Sequence, residues 1–212
     1  KNVKVTGLKN SIFWDNNTKY CVANFTIDNC VFELATEAVE NEALISFKAG
    51  GAKDFIVKNS TFMGNNAVAK YFIRYNNIAR LDRYGYDVSE TSIQFMNMTY
   101  TNNTFYGLLI ADGQWGNYNG VQGYARAKFD IQKNIWYNCG KDIIRRLAGG
   151  RFNDNAPRLF AYNTYFNNDK STAESEAKYD NSETILKYNP YFEAAAEGKF
   201  ALGASTEQAF KS

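Results

Sequence analysis

The stretch Asp54-Phe55-Ile56-Val57-Lys58-Asn59-Ser60-Thr61-Phe62 puts Phe55 and Val57 on one side of an extended chain and Asp54 and Lys58 on the other, then turns at an asparagine and brings in an aromatic three residues later. Period-two alternation of this kind marks a strand buried on one face. The Asn-x-x-aromatic pattern recurs at Asn10 to Phe13, Asn29 to Phe32, Asn102 to Phe105 and Asn163 to Phe166, and a further copy has Lys133 and Trp136 in the two columns. Most copies are spaced by roughly 30 residues, a period that signals a solenoid.

Aligning the copies produces further columns. Four residues before the anchor stand Phe25, Phe55, Met98, Phe129 and Leu159, and two before it Ile27, Val57, Tyr100, Ile131 and Ala161, all expected to face inward. The positions between them, Asn24, Asp54, Asn97, Lys128 and Arg158, then Asp28, Lys58, Thr101, Gln132 and Tyr162, are expected to face out. A strand, a corner at Asn and a returning aromatic, once per turn, describe an all-β fold: a right-handed parallel β-helix of about seven coils. Coils about 4.8 Å apart let the Asn amides bond one another in a ladder and let the aromatics stack. The same architecture accounts for 16 Phe and 15 Tyr beside only 2 Pro, since a central strand cannot spare its N–H.

Composition removes several classes of function. The chain of 212 residues carries no His, which excludes a Ser-His-Asp or Cys-His nucleophile system and a His-ligated catalytic zinc. A net charge of +2 lacks the basic excess of a nucleic-acid reader. No apolar run approaches the length of a membrane span. Of the 3 Cys, Cys30 and Cys139 each follow an Asn and read as small packing groups. The N-terminal strand-like residues carry no apolar leader, so the expectation is one domain over 1–212, the C-terminal module of a longer exported protein whose other domains are its partners. Residues from about 170 to 212 would form the closing segment, where Ser171-Thr-Ala-Glu174 and Ser205-Thr-Glu-Gln208 have the form of helix capping boxes.

On the strength of Phe55-Ile-Val-Lys-Asn-Ser-Thr-Phe62, and of Asn189-Pro-Tyr-Phe192 followed by Gly198-Lys-Phe-Ala-Leu202, the chain resembles the pectate-lyase-like right-handed β-helix superfamily. It is most similar to uncharacterised β-helical domains of secreted or lipid-anchored proteins in glycan-degrading bacteria. The resemblance implies a secreted, periplasmic or cell-surface location and a polysaccharide partner. If the protein is a lyase, the resemblance further implies β-elimination on a uronate polymer, with Lys128 and Arg158 as the basic groups and Ca²⁺ held by Asp54 or Asp130. Gly51-Ala-Lys-Asp-Phe-Ile56 is similar to a pectin methylesterase segment, but the companion motifs of that family are missing; polygalacturonase chemistry lacks its Asp-Asp pair and its His.

The candidate site lies on the outward strand face, where Asn97, Thr99, Lys128, Asp130 and Arg158 are expected to cluster. Neighbouring loops supply Trp115 and Tyr118 from the Gly-rich run 112–124 and Arg83 from the charged run 80–87. Aromatic rings meet the apolar faces of sugars, and forked polar groups meet their hydroxyls. Arg145, Arg146 and Arg151 form a second, cationic candidate. Against all of these stands the plain requirement that any solenoid be polar outside, which leaves a structural or adhesive spacer as the competing reading.

Overall fold

The computed structural model describes residues 1–15, 21–36, 43–47, 51–65, 67–75, 96–110, 115–117, 127–140, 143–149, 158–168 and 173–206. The chain enters through β1 (Lys4–Leu8) and β2 (Phe13–Asp15), then coils through β3 (Cys21–Asp28), β4 (Val31–Leu34) and β5 (Ala43–Phe47). The next coil holds β6 (Gly51–Lys58), β7 (Thr61–Met63), β8 (Val68–Ala69) and β9 (Tyr71–Tyr75); the one after it holds β10 (Met96–Thr101), β11 (Thr104–Tyr106), β12 (Leu109–Ile110) and β13 (Gly116–Asn117). Two shorter passages follow, β14 (Ala127–Gln132) with β15 (Ile135–Tyr137), and β16 (Arg158–Ala161) with β17 (Thr164–Phe166). Stacking yields three main parallel sheets in the orders β3-β6-β10-β14-β16, β1-β4-β7-β11-β15-β17 and β2-β5-β9-β13, with a small pair β8-β12. This is the expected all-β parallel β-helix. Its longest sheet has six rungs, short of seven coils because the C-terminal forty or so residues close the solenoid instead of extending it.

The corner between the first and second sheets explains the recurring asparagine. Asn2, Asn29, Asn59 and Asn102 all adopt positive φ, between 52° and 58°, a conformation in which a short hydrogen-bonding side chain is the least strained choice after glycine. Their amides point outward and bridge successive rungs: Asn29 Nδ2 donates to Asn2 Oδ1 at 2.9 Å, and Asn102 Nδ2 to Asn59 Oδ1 at 3.0 Å. The ladder expected of these amides therefore runs along the outside of the corner. A left-handed corner sends the following residue inside, so the buried file is Cys30, Ser60, Asn103, Asn134 and Asn163. In this file the donors run the other way: Asn103 Nδ2 to Asn134 Oδ1 at 2.9 Å, Asn134 Nδ2 to Asn163 Oδ1 at 3.1 Å, and Asn163 Nδ2 to Asp180 Oδ2 at 3.1 Å.

The aromatic file follows. Phe32, Phe62, Phe105, Trp136 and Tyr165 stack at 5.1–5.4 Å between neighbours, with planes within 23° of parallel. The first and last copies of the sequence pattern fall elsewhere. Phe13 pairs with Ile45 in the third sheet, and Val5 takes the first place in the file above Phe32. In the last passage the corner is Tyr162, at φ 55°, so Tyr165 enters the file and Phe166 faces out. The buried file requires an amide at Asn163, and that requirement shifts the whole rung by one residue.

The C-terminal segment seals one end. Asp180, fully buried, accepts from Asn163 and from the Tyr165 hydroxyl at 2.8 Å; burial first, then the Asp180 carboxylate, pushes the Tyr165 hydroxyl well above its ordinary pKa. Glu176, at the end of α1 (Ala173–Glu176), accepts from the Ile143 and Ile144 N–H groups at 3.0 and 2.9 Å. Leu186 bridges Thr164 in parallel, beginning a further rung. The antiparallel hairpin β18 (Phe192–Ala194) and β19 (Lys199–Leu202) then folds back over the outside of the second sheet, laying Phe200 on Tyr106 and Phe192 on Tyr137. Cys30 and Cys139 are buried free thiols, and burial pushes Cys139 up to about 12. Among the described residues no helix is long and apolar enough to cross a membrane.

Candidate functional site

The outward face of the first sheet carries three columns, because alternate side chains of every strand stand on it in register. The first is Asn24, Asp54, Asn97 and Lys128; the second Thr26, Ile56, Thr99, Asp130 and Leu159; the third Asp28, Lys58, Thr101, Gln132 and Ala161. Five sequence candidates, Asp54, Asn97, Thr99, Lys128 and Asp130, thus share one wall. Asp54, Ile56, Asn97, Thr99 and Asp130, each with a column neighbour on both sides, are half-buried although they point outward, while Asn24, Thr26 and Lys128, at the ends of their columns, are exposed. A side chain with a strand on either side is covered by its column neighbours, whereas one at a column end is not.

Polar groups on the wall hold one another. Asn97 Nδ2 donates to Asp54 Oδ1, and Gln132 Nε2 donates to Asp130 Oδ1 at 2.6 Å. Asp28 accepts from Asn59 Nδ2 at 3.1 Å and faces Lys1 and Lys58 at 3.4 and 3.6 Å. The bond from Asn59, aided by those two ammonium groups, holds the Asp28 carboxyl below the usual carboxylate range. These links fix the carboxylates in direction while leaving acceptor capacity for a ligand.

The remaining candidates are not brought to this wall. Arg158 pairs with Phe129, not with Lys128, so it stands in an inward column of the last rung, displaced by the shift that Asn163 imposes. The paired bases expected of an elimination site are therefore not assembled. Trp115 is fully buried, its ring 5.7 Å from both Phe72 and Phe105 and 6.5 Å from Trp136, which makes it part of the core and removes it as a sugar platform. Asp54 and Asp130 lie two rungs apart in different columns, roughly 10 Å at the usual strand spacing. One Ca²⁺ with ligands at about 2.4 Å cannot take both. Among the described residues no three acidic, Cys or His side chains are grouped to hold a metal. Tyr118, Arg83 and Arg151 lie outside the described residues, whereas Arg145 and Arg146 begin the helical turn Arg145–Gly149.

Sequence reading missed the end of the wall. Leu159 and Tyr162, expected inside and on the strand face respectively, instead stand exposed at the last rung and its corner. The signal that locates them is the shorter motif Asn-x-aromatic, shared by Asn103-Thr104-Phe105, Asn134-Ile135-Trp136 and Asn163-Thr164-Tyr165. No family model, curated protein or solved structure matches the chain.

Proposed function

We propose that this β-helix is a glycan-binding module of an exported protein, with the carbohydrate lying along the outward wall of β3, β6, β10 and β14. The observation that carries the reading is the wall itself, where Asp54, Asn97, Thr99 and Asp130 stand outward on three successive rungs in register, each carboxylate oriented by a side-chain amide. Amide, hydroxyl and carboxylate groups repeated at about 4.8 Å match the donor and acceptor pattern of sugar hydroxyls. With Arg158 off the wall, binding is favoured over elimination.

Electrophoresis through gels containing dissolved polysaccharides tests this. Retardation by at least one polysaccharide, reduced in Asn97→Ala and Asp130→Ala, is the expected outcome. Unretarded migration in every gel would leave a structural spacer as the better description, and release of an unsaturated uronate product would restore the lyase reading.

A further inference from the structure

The last rung of the first sheet breaks the pattern of the others. Its outward positions are apolar, Leu159 beside Asp130 and Ala161 beside Gln132, and the corner that follows is Tyr162. Leu159 and Tyr162 are 51% and 49% exposed. Tyr162 stands in the column of Asn2, Asn29, Asn59, Asn102 and Lys133, at φ 55°. Asparagine tolerates that conformation through its short polar side chain; a tyrosine adopts it, as Lys133 and Tyr191 also do, at greater strain, and half-exposure recovers little of that strain by burial. Yet the residue is held firmly: its N–H donates to Thr184 Oγ1 at 2.9 Å, and Lys133 Nζ sits 5.9 Å from its ring centroid. A strained, fixed and exposed aromatic at the margin of a polar wall suggests selection for something other than stability.

We propose that Tyr162 and Leu159 form the apolar floor of a subsite for a neutral pyranose unit, its hydroxyls met by Asp130, Gln132 and Lys133. This rests on the glycan-binding reading above and names the class of sugar. A pyranose has an apolar C–H face and a polar rim, and the last two rungs present that same division of surfaces about 4.8 Å apart. The sugar is neutral because the group nearest the apolar floor is a carboxylate, Leu159 standing directly beside Asp130. Asp130, oriented by Gln132, accepts hydroxyl protons and repels a sugar carboxylate, while the Lys133 ammonium lies against the Tyr162 ring.

Titration calorimetry with cellohexaose and xylohexaose, and with hexagalacturonate as the charged comparator, separates the possibilities. At least one neutral hexamer is expected to bind more tightly than hexagalacturonate. Tyr162→Asn should weaken that binding by about tenfold or more, the loss typical of an aromatic anchor, and Tyr162→Phe should keep it. Tyr162→Asn should also melt no lower than the parent, since Asn is the residue this corner favours; Leu159→Ser gives a second reading that leaves the corner untouched. Undiminished binding by both Tyr162→Asn and Leu159→Ser, with loss in Asn97→Ala, would overturn the subsite and leave the wall standing. Preference for hexagalacturonate would overturn the sugar class. No binding of any hexamer, together with unretarded gels, would remove both.

Discussion

Asn134 takes hydrogen bonds from Asn103 N and Nδ2 on one rung, and its own Nδ2 reaches Tyr100 O, Gln132 O and Asn163 Oδ1 at 2.7–3.1 Å. Truncation to alanine strands buried donors and acceptors on two neighbouring rungs, each worth roughly 1–3 kcal/mol. Asn134→Ala should therefore cost about 3 kcal/mol or more in denaturant titration. Asn102, exposed and left-handed, is a different case: Asn102→Gly should change stability by only a few tenths of a kcal/mol, whereas Asn102→Ala, which loses the bridging amide and keeps a β-carbon at positive φ, should cost about 1 kcal/mol. If both asparagines respond alike, the division into an exposed and a buried file is wrong. Sequence alone exposed the importance of asparagine but not this division, because adjacent amides such as Asn102-Asn103 are distinguished only by backbone handedness.

Strands and corners add constraints that no single residue carries. Gly64 stands so close to the neighbouring coil that a β-carbon built on it would lie 2.2 Å from Gly107 O and 2.4 Å from Leu108 Cα. Both contacts are backbone, so Gly64→Ala should force the second corner apart and lower the melting temperature by several degrees; an unchanged melt would show that the coils separate freely. The closing segment depends on Asp180 in a comparable way. Asp180→Ala should speed hydrogen exchange across 173–206 while leaving β6, β7, β10 and β11 protected, and uniform loss of protection would indicate that the segment is a working part of every coil. Strand identity was largely legible: Phe25, Phe55, Met98 and Phe129 form the inward column expected of them. The last rung was not, since Asn163 fits the corner pattern and the buried pattern equally well, and only the tertiary demand for an amide beside Asn134 decides between them. Trp115 misled for a related reason, as a ring in a Gly-rich stretch says nothing about which coil it turns back into.

For the whole molecule, charge is nearly balanced, at +2, and among the described residues Asp28 gathers opposite charges from neighbouring rungs. Asp28 joins the first coils through Asn59, Lys58 and Lys1. Its folded pKa lies below the unfolded one, so its contribution is complete above the ordinary carboxylate range, near pH 4, and fades as pH falls through the lower folded value. Stability measured from pH 6 down to pH 2 should drop along this limb, and Asp28→Asn should flatten part of the drop; an identical acid profile in the variant would assign the drop to other carboxylates.

The two amide files also give the cylinder a direction. Along the corner the asparagine amides donate toward the Lys1 end, whereas the amide-to-amide bonds of the inner file run toward Asp180, where Asn163 donates to a carboxylate oxygen. A coil added or removed by duplication keeps the molecule sound only if its amides point the same way as their neighbours, since one reversed member sets hydrogen against hydrogen on one side and oxygen against oxygen on the other. Length is thus free to drift over evolutionary time, but polarity is not.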